Sequence, residues 1–352
     1  MVNLDLLLQK VIDLAASDLH LSVGVPPLVR VDGVLAALQN QPPLSKEDVE
    51  ALVLGLLSGE QKALYNLNKE VDLSLAFGQK ACFRANVFTE QGRPDAALRL
   101  IPWKVPTLEE LNLPPVLSDF GKLPQGLVLI TGPTGHGKST TIAALIDYIN
   151  STRPCHIVTI EDPIEYVFTP KKALIAQREM YKDTVSWDTA LRSALREDPE
   201  VVFVGEMRDF DTVAATITIA ETGHLVFATL HTNSASQAVD RIIDVFPEDQ
   251  QNQIRSQLSS ILEGIVSQRL LTRLGGGRIV ATEILLMSDA VRNLIREAKT
   301  YQIDNVIATS YDLGMVSLER SLASLVKKGL VSLEEAERHT LQPEELKRLA
   351  FG

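Results

Sequence analysis

The sequence predicts two domains, a smaller α+β domain followed by an α/β domain whose central sheet is rich in parallel strands. Three observations lead to this prediction. The chain has 352 residues, which is more than one ordinary core organises. Strand and helix patterns mix in residues 1–101, whereas four later apolar runs alternate with long helical patterns. Five prolines lie between Ile101 and Gln125, where the pattern changes.

The composition is that of an ordinary globular protein with an acidic balance. Hydrophobic types make up 45% of the residues and charged types 22%, which argues against a disordered or fibrous chain. With 34 basic and 45 acidic residues, the net charge is −11. Because non-specific binding of nucleic acid depends on neutralising phosphates, this balance predicts that nucleic acid is not a partner.

The cysteines and the apolar runs indicate a cytoplasmic protein without a membrane span. Cys82 and Cys155 are far apart in sequence, which disfavours a zinc site and a disulfide framework. No apolar run reaches the roughly 18 residues that cross a bilayer. Asp5, Lys10 and Asp13 interrupt the apolar start, so a signal peptide is not expected. Any association with a membrane is therefore expected to depend on a partner.

The predicted α+β domain spans residues 1–101. Its first helix carries apolar residues at helical spacing, with Asn3 as the N-cap. Asp32-Gly33 predicts a tight hairpin turn, and Ser45 is suited to cap a second helix. Alternating or clustered apolar residues predict three further strands, which are Val71–Phe77, Cys82–Phe88 and Ala96–Ile101.

The prolines predict an extended linker over residues 102–125, and the α/β domain then spans residues 126–352. Short, β-branched apolar runs separated by helical patterns are typical of buried parallel strands joined by helical crossovers. The tail from Asp289 onward reads as helical with a polar face. The four predicted strands are Gly126–Ile130, His156–Ile160, Val201–Val204 and Leu225–Thr229.

A phosphate-binding loop follows the first of these strands. Residues 132–139 match the pattern G-x-x-x-x-G-K-[ST] between a strand and a helix, which is the context that this motif requires. The glycines let backbone amides face phosphate oxygens, Lys138 reaches the outer phosphates, and Ser139 holds Mg²⁺. The sequence therefore predicts ATP and Mg²⁺ as ligands, with ATP contacts from Gly132, Thr134, Gly135, His136, Gly137, Lys138, Ser139 and Thr140.

Carboxylates follow two other predicted strands. Glu165 comes shortly after His156–Ile160, and Glu206 comes after Val201–Val204. Ligands of open α/β sheets bind at this edge, where a carboxylate can hold a metal ion or orient the attacking water. Glu165 and Glu206 are the predicted catalytic residues, and Glu206 also joins Ser139 as a predicted metal contact. Solvation or helix capping is the alternative explanation for each carboxylate.

Two histidines flank the fourth predicted strand, His224 before it and His231 after it. A histidine near a phosphate site can sense the terminal phosphate through a hydrogen bond or a charge. Both are predicted nucleotide contacts. A purely structural role is the alternative for either of them.

Four blocks together resemble the secretion-type AAA-like ATPases, the motors of type IV pili and type II secretion. They are similar to its Walker A motif, Asp box, Walker B motif and His box, and they lie at 132–139, 159–165, 205–209 and 223–232. Residues 290–297 resemble the A-I-R-N-L-I-R-E signature of the pilus-retraction subfamily. The alternative for this segment is a helix capped by Asp289, with an apolar face and a solvent-facing pair, Arg292 and Arg296.

The resemblance implies a PAS-like first domain, a RecA-like second domain and a homohexameric ring with ATP between the domains. It implies that Glu206 is the Walker B carboxylate, that Glu165 is the general base, and that Arg84 and Arg99 contact the nucleotide. Cys82 stands where the retraction motors often have a second arginine. His136 replaces the usual serine of the loop, and its side chain is expected to matter little.

The predicted function is an ATP-hydrolysing motor that powers type IV pilus retraction and twitching motility by coupling hydrolysis to movement between the domains. The implied partners are the PilC-like platform protein of the inner membrane and other pilus ATPases, and the implied location is the inner face of that membrane. An accessory pilus ATPase, or an ATPase of pilus assembly or type II secretion, is the alternative. A non-hydrolysing regulator, a small-molecule kinase and a nucleic-acid translocase fit the motifs and the charge less well.

Overall fold

The structure is a computed structural model that describes residues 3–78, 81–102, 104–340 and 342–352. The chain forms two compact units, the first ending at Lys104 and the second running from Val105 to Gly352. Trp103, which falls within the predicted linker, lies outside the described residues. A separate linker over residues 102–125 stays a prediction. Over the described residues, no helix combines the length and the apolar character that a membrane span requires.

The first unit is an antiparallel sheet with helices packed on one face. The strand order is β3-β2-β1-β6-β5-β4. Its helices are α1 (Leu4–Asp13), α2 (Lys46–Gly55) and α3 (Gly59–Asn68). Its strands are β1 (Asp18–Leu21), β2 (Leu28–Val31), β3 (Val34–Ala37), β4 (Glu70–Phe77), β5 (Ala81–Glu90) and β6 (Arg93–Pro102).

Local sequence signals account for several of these elements. The Asn3 side chain accepts a hydrogen bond from the Leu6 amide and caps α1. Ser45 forms a capping box at the start of α2. The β2–β3 hairpin turns through Asp32 and Gly33, whose φ angles are 49° and 84°. The predicted helix caps and the predicted hairpin turn are confirmed.

The second unit is built on a seven-stranded sheet in the order β13-β12-β7-β11-β10-β8-β9. Its strands are β7 (Gly126–Thr131), β8 (His156–Glu161), β9 (Leu174–Glu179), β10 (Val201–Val204), β11 (Leu225–Leu230), β12 (Leu262–Thr272) and β13 (Arg278–Leu286). The helices through the sheet region are α4 (Val116–Phe120), α5 (Lys138–Thr152), α6 (Trp187–Ala194), α7 (Phe210–Glu221), α8 (Ala235–Asp244) and α9 (Glu248–Ile261). The later helices are α10 (Asp289–Arg296), α11 (Ile303–Thr309), α12 (Leu318–Lys327), α13 (Leu333–Glu337) and α14 (Pro343–Phe351).

The four predicted strands form the parallel centre of this sheet. They are neighbours in the order β7-β11-β10-β8, and every residue of β7, β10 and β11 is buried. β9 adds a parallel edge, β12 pairs in parallel with β7, and β13 pairs antiparallel with β12. Apolar clusters cover both faces of the sheet. The carboxyl ends of the central strands therefore meet at one edge.

Helix α10 differs from the alternative interpretation of residues 290–297 in its cap and in one arginine. Ser288 caps the helix in place of Asp289, through a hydrogen bond from the Val291 amide. Arg292 is not a solvent-facing partner of Arg296, because its guanidinium donates to the Ser259 and Ser260 carbonyls and pairs with Glu263. These carbonyls belong to the last turn of α9 and have no amide donor within that helix. A cation is therefore favoured at this helix end. Arg292 thus joins α10 to the end of α9.

Candidate active site

The P-loop connects the carboxyl end of β7 to the start of α5. Gly132 has a φ of 141°, and a Cβ atom built there would lie 2.5 Å from the Gln268 carbonyl oxygen. Gly137 has a φ of 83° and occupies the N-cap position of α5. A larger residue at Gly132 would clash with backbone, and one at Gly137 would be strained. The loop can therefore present the first amides of α5 to an anion.

Lys138 begins α5 and is 8% exposed. Its Nζ donates to the Gly132 carbonyl at 2.8 Å and to the Pro133 carbonyl at 3.1 Å. Burial lowers the pKa of the ammonium below its ordinary value, against the opposing charges of Glu206 and Glu165. A phosphate at the loop would supply the charge that this buried cation lacks.

Glu165 lies against the P-loop, which is the position predicted for a catalytic carboxylate. The Ser139 hydroxyl donates to Glu165 Oε1 at 2.9 Å. Thr140 follows Ser139, and Tyr166 follows Glu165. The hydroxyls of Thr140 and Tyr166 are 3.0 Å apart and share a hydrogen bond. Two consecutive contacts therefore hold the segment after β8 against the start of α5. Tyr166 was missed in the sequence, where it reads as an ordinary half-buried aromatic residue.

Glu206 stands between two basic side chains at the end of β10. Its Oε2 is 2.7 Å from the Arg208 guanidinium, and its Oε1 is 3.1 Å from Nε2 of His231. Partial burial alone would raise the pKa of Glu206, but the bond from Arg208 and the charges of His231 and Arg208 hold that pKa below its ordinary value. A cleft of about 260 Å³ opens beside Glu206, Arg208 and His231.

His231 connects Glu206 to the P-loop. The opposite ring nitrogen, Nδ1, is 3.1 Å from the Thr134 hydroxyl. β11 lies between β7 and β10 in the sheet, which is why a residue at its end can reach both neighbours. The structure therefore brings Thr134, Lys138, Ser139, Glu165, Glu206 and His231 to one edge of the sheet.

His224 lies at the opposite edge of the sheet from the P-loop. It precedes β11, and its Nδ1 is hydrogen-bonded to the Ile219 carbonyl at 3.0 Å and to the Thr222 hydroxyl at 3.1 Å. The length of β11 separates His224 from His231 by about 20 Å at the usual rise of a strand. The amino end of a parallel strand cannot share an edge with the carboxyl ends, so His224 does not join this chain's P-loop site.

Arg84 and Arg99 belong to the first unit, on the sheet face opposite the buried Phe83 and Leu98. They stand directly across from each other on β5 and β6. The Arg99 guanidinium donates to Asp18 Oδ1 at 2.9 Å, and its side chain is 74% exposed. Two arginines on one open face provide positive charge, and their contact with a nucleotide stays a prediction.

The side chain of His136 has a larger role than the sequence analysis expects. Its Nδ1 accepts a hydrogen bond from the Leu270 amide at 3.1 Å, and its ring lies 5.8 Å from that of His339. Burial lowers the pKa of His136, and the positive neighbours His339, Arg269 and Lys138 lower it further. The neutral ring is the form that accepts the Leu270 bond. The expectation of an idle side chain is therefore wrong.

A third carboxylate, Glu161, is buried behind the site at the end of β8. It is 7% exposed and accepts hydrogen bonds from the Thr159 hydroxyl at 2.7 Å and from the Gln177 amide at 3.3 Å. Burial raises the pKa of Glu161 from 4.5 to about 7, although these hydrogen bonds oppose the change. The folded protein therefore binds this proton more tightly than the unfolded chain does.

We expect Glu161→Gln to unfold at a higher temperature than the wild type at pH 8, by at least about 3 °C, and at nearly the same temperature at pH 5. The folded-state pKa is raised, so the stability from Glu161 is full below pH 4.5 and is lost as the pH rises toward 7. Thermal unfolding across this range measures the difference. The exposed Glu221→Gln is the control, and an equal shift at both pH values would contradict the prediction.

Comparisons with known proteins place this chain among secretion and pilus ATPases. Residues 108–276 match the family model described as type II/IV secretion system protein. The chain is 48% identical to the type IV pilus retraction ATPase PilT of Pseudomonas aeruginosa, over 94% of this chain and 95% of that protein. It is also 48% identical to a twitching motility protein of Neisseria gonorrhoeae, over 91% and 86% of the two chains.

A solved structure matches the whole fold. It is the crystal structure of the pilus retraction motor PilT with bound ADP, with a TM-score of 0.91 and 47% identity over 99% of this chain and 100% of that chain. The predicted fold class and the predicted resemblance are thereby confirmed. The chain belongs to the type II/IV secretion system protein family, with pilus retraction ATPases as relatives over nearly its whole length.

Proposed function

We propose that this protein is an ATP-hydrolysing motor that powers retraction of type IV pili. The observation that carries the proposal is the convergence of Lys138 and Ser139 of the P-loop with Glu165 and Glu206 at one sheet edge. The identity to a retraction ATPase over nearly the whole chain supports the biological role. The reaction proposed is conversion of ATP and water into ADP and phosphate.

The catalytic roles follow from what each side chain can do at its position. Lys138 and the first amides of α5 bind the phosphates, because the ammonium lies against the loop and the helix begins there without a side-chain cap. Glu165 lies beside Ser139 and accepts a proton from the attacking water as the general base. Glu206 carries a negative charge, since its pKa is lowered, and His231 joins it to Thr134.

The donor set at the P-loop also fits Mg²⁺. The ion prefers oxygen ligands and usually takes only one or two from a protein, with the rest from phosphates and water. The Ser139 hydroxyl and the Glu206 carboxylate would hold it. When bound, Mg²⁺ neutralises charge on the phosphate oxygens.

The assembly proposed is a homohexamer that acts on a PilC-like platform protein at the cytoplasmic face of the inner membrane, alongside other pilus ATPases. The support is the likeness to a pilus retraction motor. Arg84 and Arg99 are proposed nucleotide contacts, as the family resemblance implies. Mass photometry with and without ATP would measure the assembly.

The activity is tested by ATP turnover of the purified protein and by complementation. We expect Mg²⁺-dependent hydrolysis in vitro and restored twitching in a Pseudomonas aeruginosa strain that lacks its retraction ATPase. Nucleotide binding without turnover would refute the motor. Turnover with no restored twitching, in a strain shown to make and assemble the protein, would refute the retraction role while leaving the ATPase intact.

Helix α10 offers a variant that is expected to separate ATP turnover from pilus retraction. Arg296 is exposed and donates to Asn293, whereas Ile295 is fully buried in the core. We expect Arg296→Ala to keep ATP turnover within about twofold and to reduce twitching strongly. Ile295→Ala should instead lower the free energy of unfolding by about 2–5 kcal/mol, because it leaves a cavity.

Turnover assays, twitching zones and thermal melts measure these effects. Arg348→Ala on α14 is the matched control, because Arg348 is another exposed arginine with a short-range partner. If Arg296→Ala lost turnover and twitching in equal measure, the exposed face of α10 would have no separate role in retraction.

A further inference from the structure

β12 continues beyond the strand on which the P-loop is built. The pairing between β7 and β12 ends at Thr131 and Ser267, but β12 runs on to Thr272. The P-loop begins at Gly132, directly after Thr131. Beyond Ser267, β12 stays paired with β13 on one side, and its other side lies toward the loop.

Gln268 is the first residue of β12 beyond the pairing with β7, and it contacts the loop twice. Its side-chain Nε2 donates to the His136 carbonyl at 2.8 Å. Its own carbonyl oxygen fills the space where a side chain on Gly132 would begin. The Leu270 amide adds a bond to the ring of His136. The start and the middle of the P-loop are thus both held against β12.

The burial of Gln268 is energetically costly, which sets it apart from an ordinary packing residue. The side chain is 1% exposed, and its Oε1 has no hydrogen-bond partner among the described residues. A buried acceptor without a partner lowers stability, and an apolar side chain of the same length would avoid that cost. What Gln268 provides in return is the donor to the P-loop.

Arg269, the next residue, holds the second loop of the site. Its guanidinium donates to the Asn233 carbonyl at 2.7 Å and to the Asn233 side chain at 3.2 Å. Asn233 lies two residues after His231. Arg269 also donates to the Gln268 carbonyl at 3.0 Å, and that oxygen is the one against Gly132. Consecutive residues of β12 therefore secure both loops.

We infer that Gln268 is a positioning residue, which holds the P-loop in its phosphate-binding shape through the bond to the His136 carbonyl. The inference rests on the proposed function in one respect, since it assumes that the P-loop binds a nucleotide. Loss of the bond should let the loop sample other shapes. Nucleotide affinity is then reduced in proportion to the fraction of molecules whose loop keeps the binding shape.

The test is Gln268→Met, which keeps the length of the side chain and removes the donor and the unpartnered acceptor together. We expect the Kd for a fluorescent ADP analogue to rise by about three- to tenfold. The kcat at saturating ATP should change less than about twofold, because the groups around the reacting phosphate are unaltered. The amides of residues 134–139 should exchange hydrogen faster in the nucleotide-free protein, with little change in the thermal midpoint. Gln268→Asn, which is one methylene too short to reach the loop, should give the same result.

Gln251→Met is the matched control, since Gln251 also donates to a carbonyl, that of Phe246, at the start of α9. An ADP affinity or a P-loop exchange rate equal to that of the wild type would overturn the positioning role. So would a Kd that rises only together with a large loss of thermal stability in both Gln268 variants. A wild type that binds ADP without hydrolysing ATP would refute the proposed motor alone, because the binding and exchange comparisons need no turnover.

Discussion

Glu206→Gln is expected to lower kcat for ATP hydrolysis by at least about 100-fold, which is the usual scale for losing a charged catalytic group. The substitution keeps the size of the side chain and removes its negative charge. That charge lies between Arg208 and His231, and the lowered pKa of Glu206 means that it is present at neutral pH. We expect the Kd for ADP to change less than about threefold, since the binding groups of the P-loop remain.

Steady-state turnover and ADP titration of the same preparation measure this separation. The control is Glu248→Gln, an exposed acidic residue in the first turn of α9. Turnover by Glu206→Gln at the wild-type rate would remove Glu206 from the catalytic machinery. A parallel loss of binding would instead assign it a role in holding the loop through His231 and Thr134.

Lys138→Met is expected to weaken nucleotide binding by about 10- to 100-fold, because bonds from an ammonium to phosphate are charge-assisted. Methionine keeps most of the buried stem of the lysine. Burial lowers the pKa of Lys138, so the folded protein pays for this charge in desolvation, and its removal relieves that cost. The thermal midpoint of the free protein should therefore not fall by more than a few degrees.

Titration with a fluorescent ADP analogue and a thermal melt of the same sample measure both effects. Lys122→Met, at an exposed lysine paired with Asp119, is the control for losing one positive charge. Undiminished affinity in Lys138→Met would show that the amides of α5 suffice for binding. A large loss of stability would show that the bonds to Gly132 and Pro133 hold the loop together.

The centre of the fold and most of the site could be predicted because their signals are local. The parallel strands are continuous apolar runs, and the P-loop is a motif of fixed spacing between a strand and a helix. Glu165 and Glu206 follow strand ends, so the sheet brings them together once its direction is known. His224 is the exception, because it precedes its strand, and the amino end of a parallel strand lies at the edge opposite the P-loop.

Strands β9 and β12 were not predicted, because their sequence patterns are explained only by the assembled fold. β12 follows α9 without a loop, and Gln268 and Arg269 interrupt its apolar pattern. Both polar residues are buried because each has a partner in a loop from elsewhere in the chain. A polar pair inside an apolar run was the available clue. β9 lies at the edge of the sheet with half-exposed, partly charged residues, so its pattern resembles a surface segment.

Arg292 does not face solvent as the alternative interpretation of its helix expects, because helical spacing alone does not say what faces a side chain. Its i, i+4 relation to Arg296 is real, but α10 packs beside the end of α9, whose carbonyls attract one arginine and not the other. Tertiary neighbours decide whether a helical arginine faces solvent or another helix. The local pattern carries no information about them.

The contacts of the His231 ring determine which of its nitrogens carries a hydrogen and how the Thr134 hydroxyl is oriented. A nitrogen that faces the Glu206 carboxylate at 3.1 Å must carry hydrogen, so Nε2 is the donor. In the neutral ring Nδ1 is then an acceptor, and the Thr134 hydroxyl has to donate to it. In that neutral state, the oxygen of Thr134 presents lone pairs, not a hydrogen, to its other neighbours. One imidazole therefore links the carboxylate after β10 to the hydrogen bonding of the P-loop.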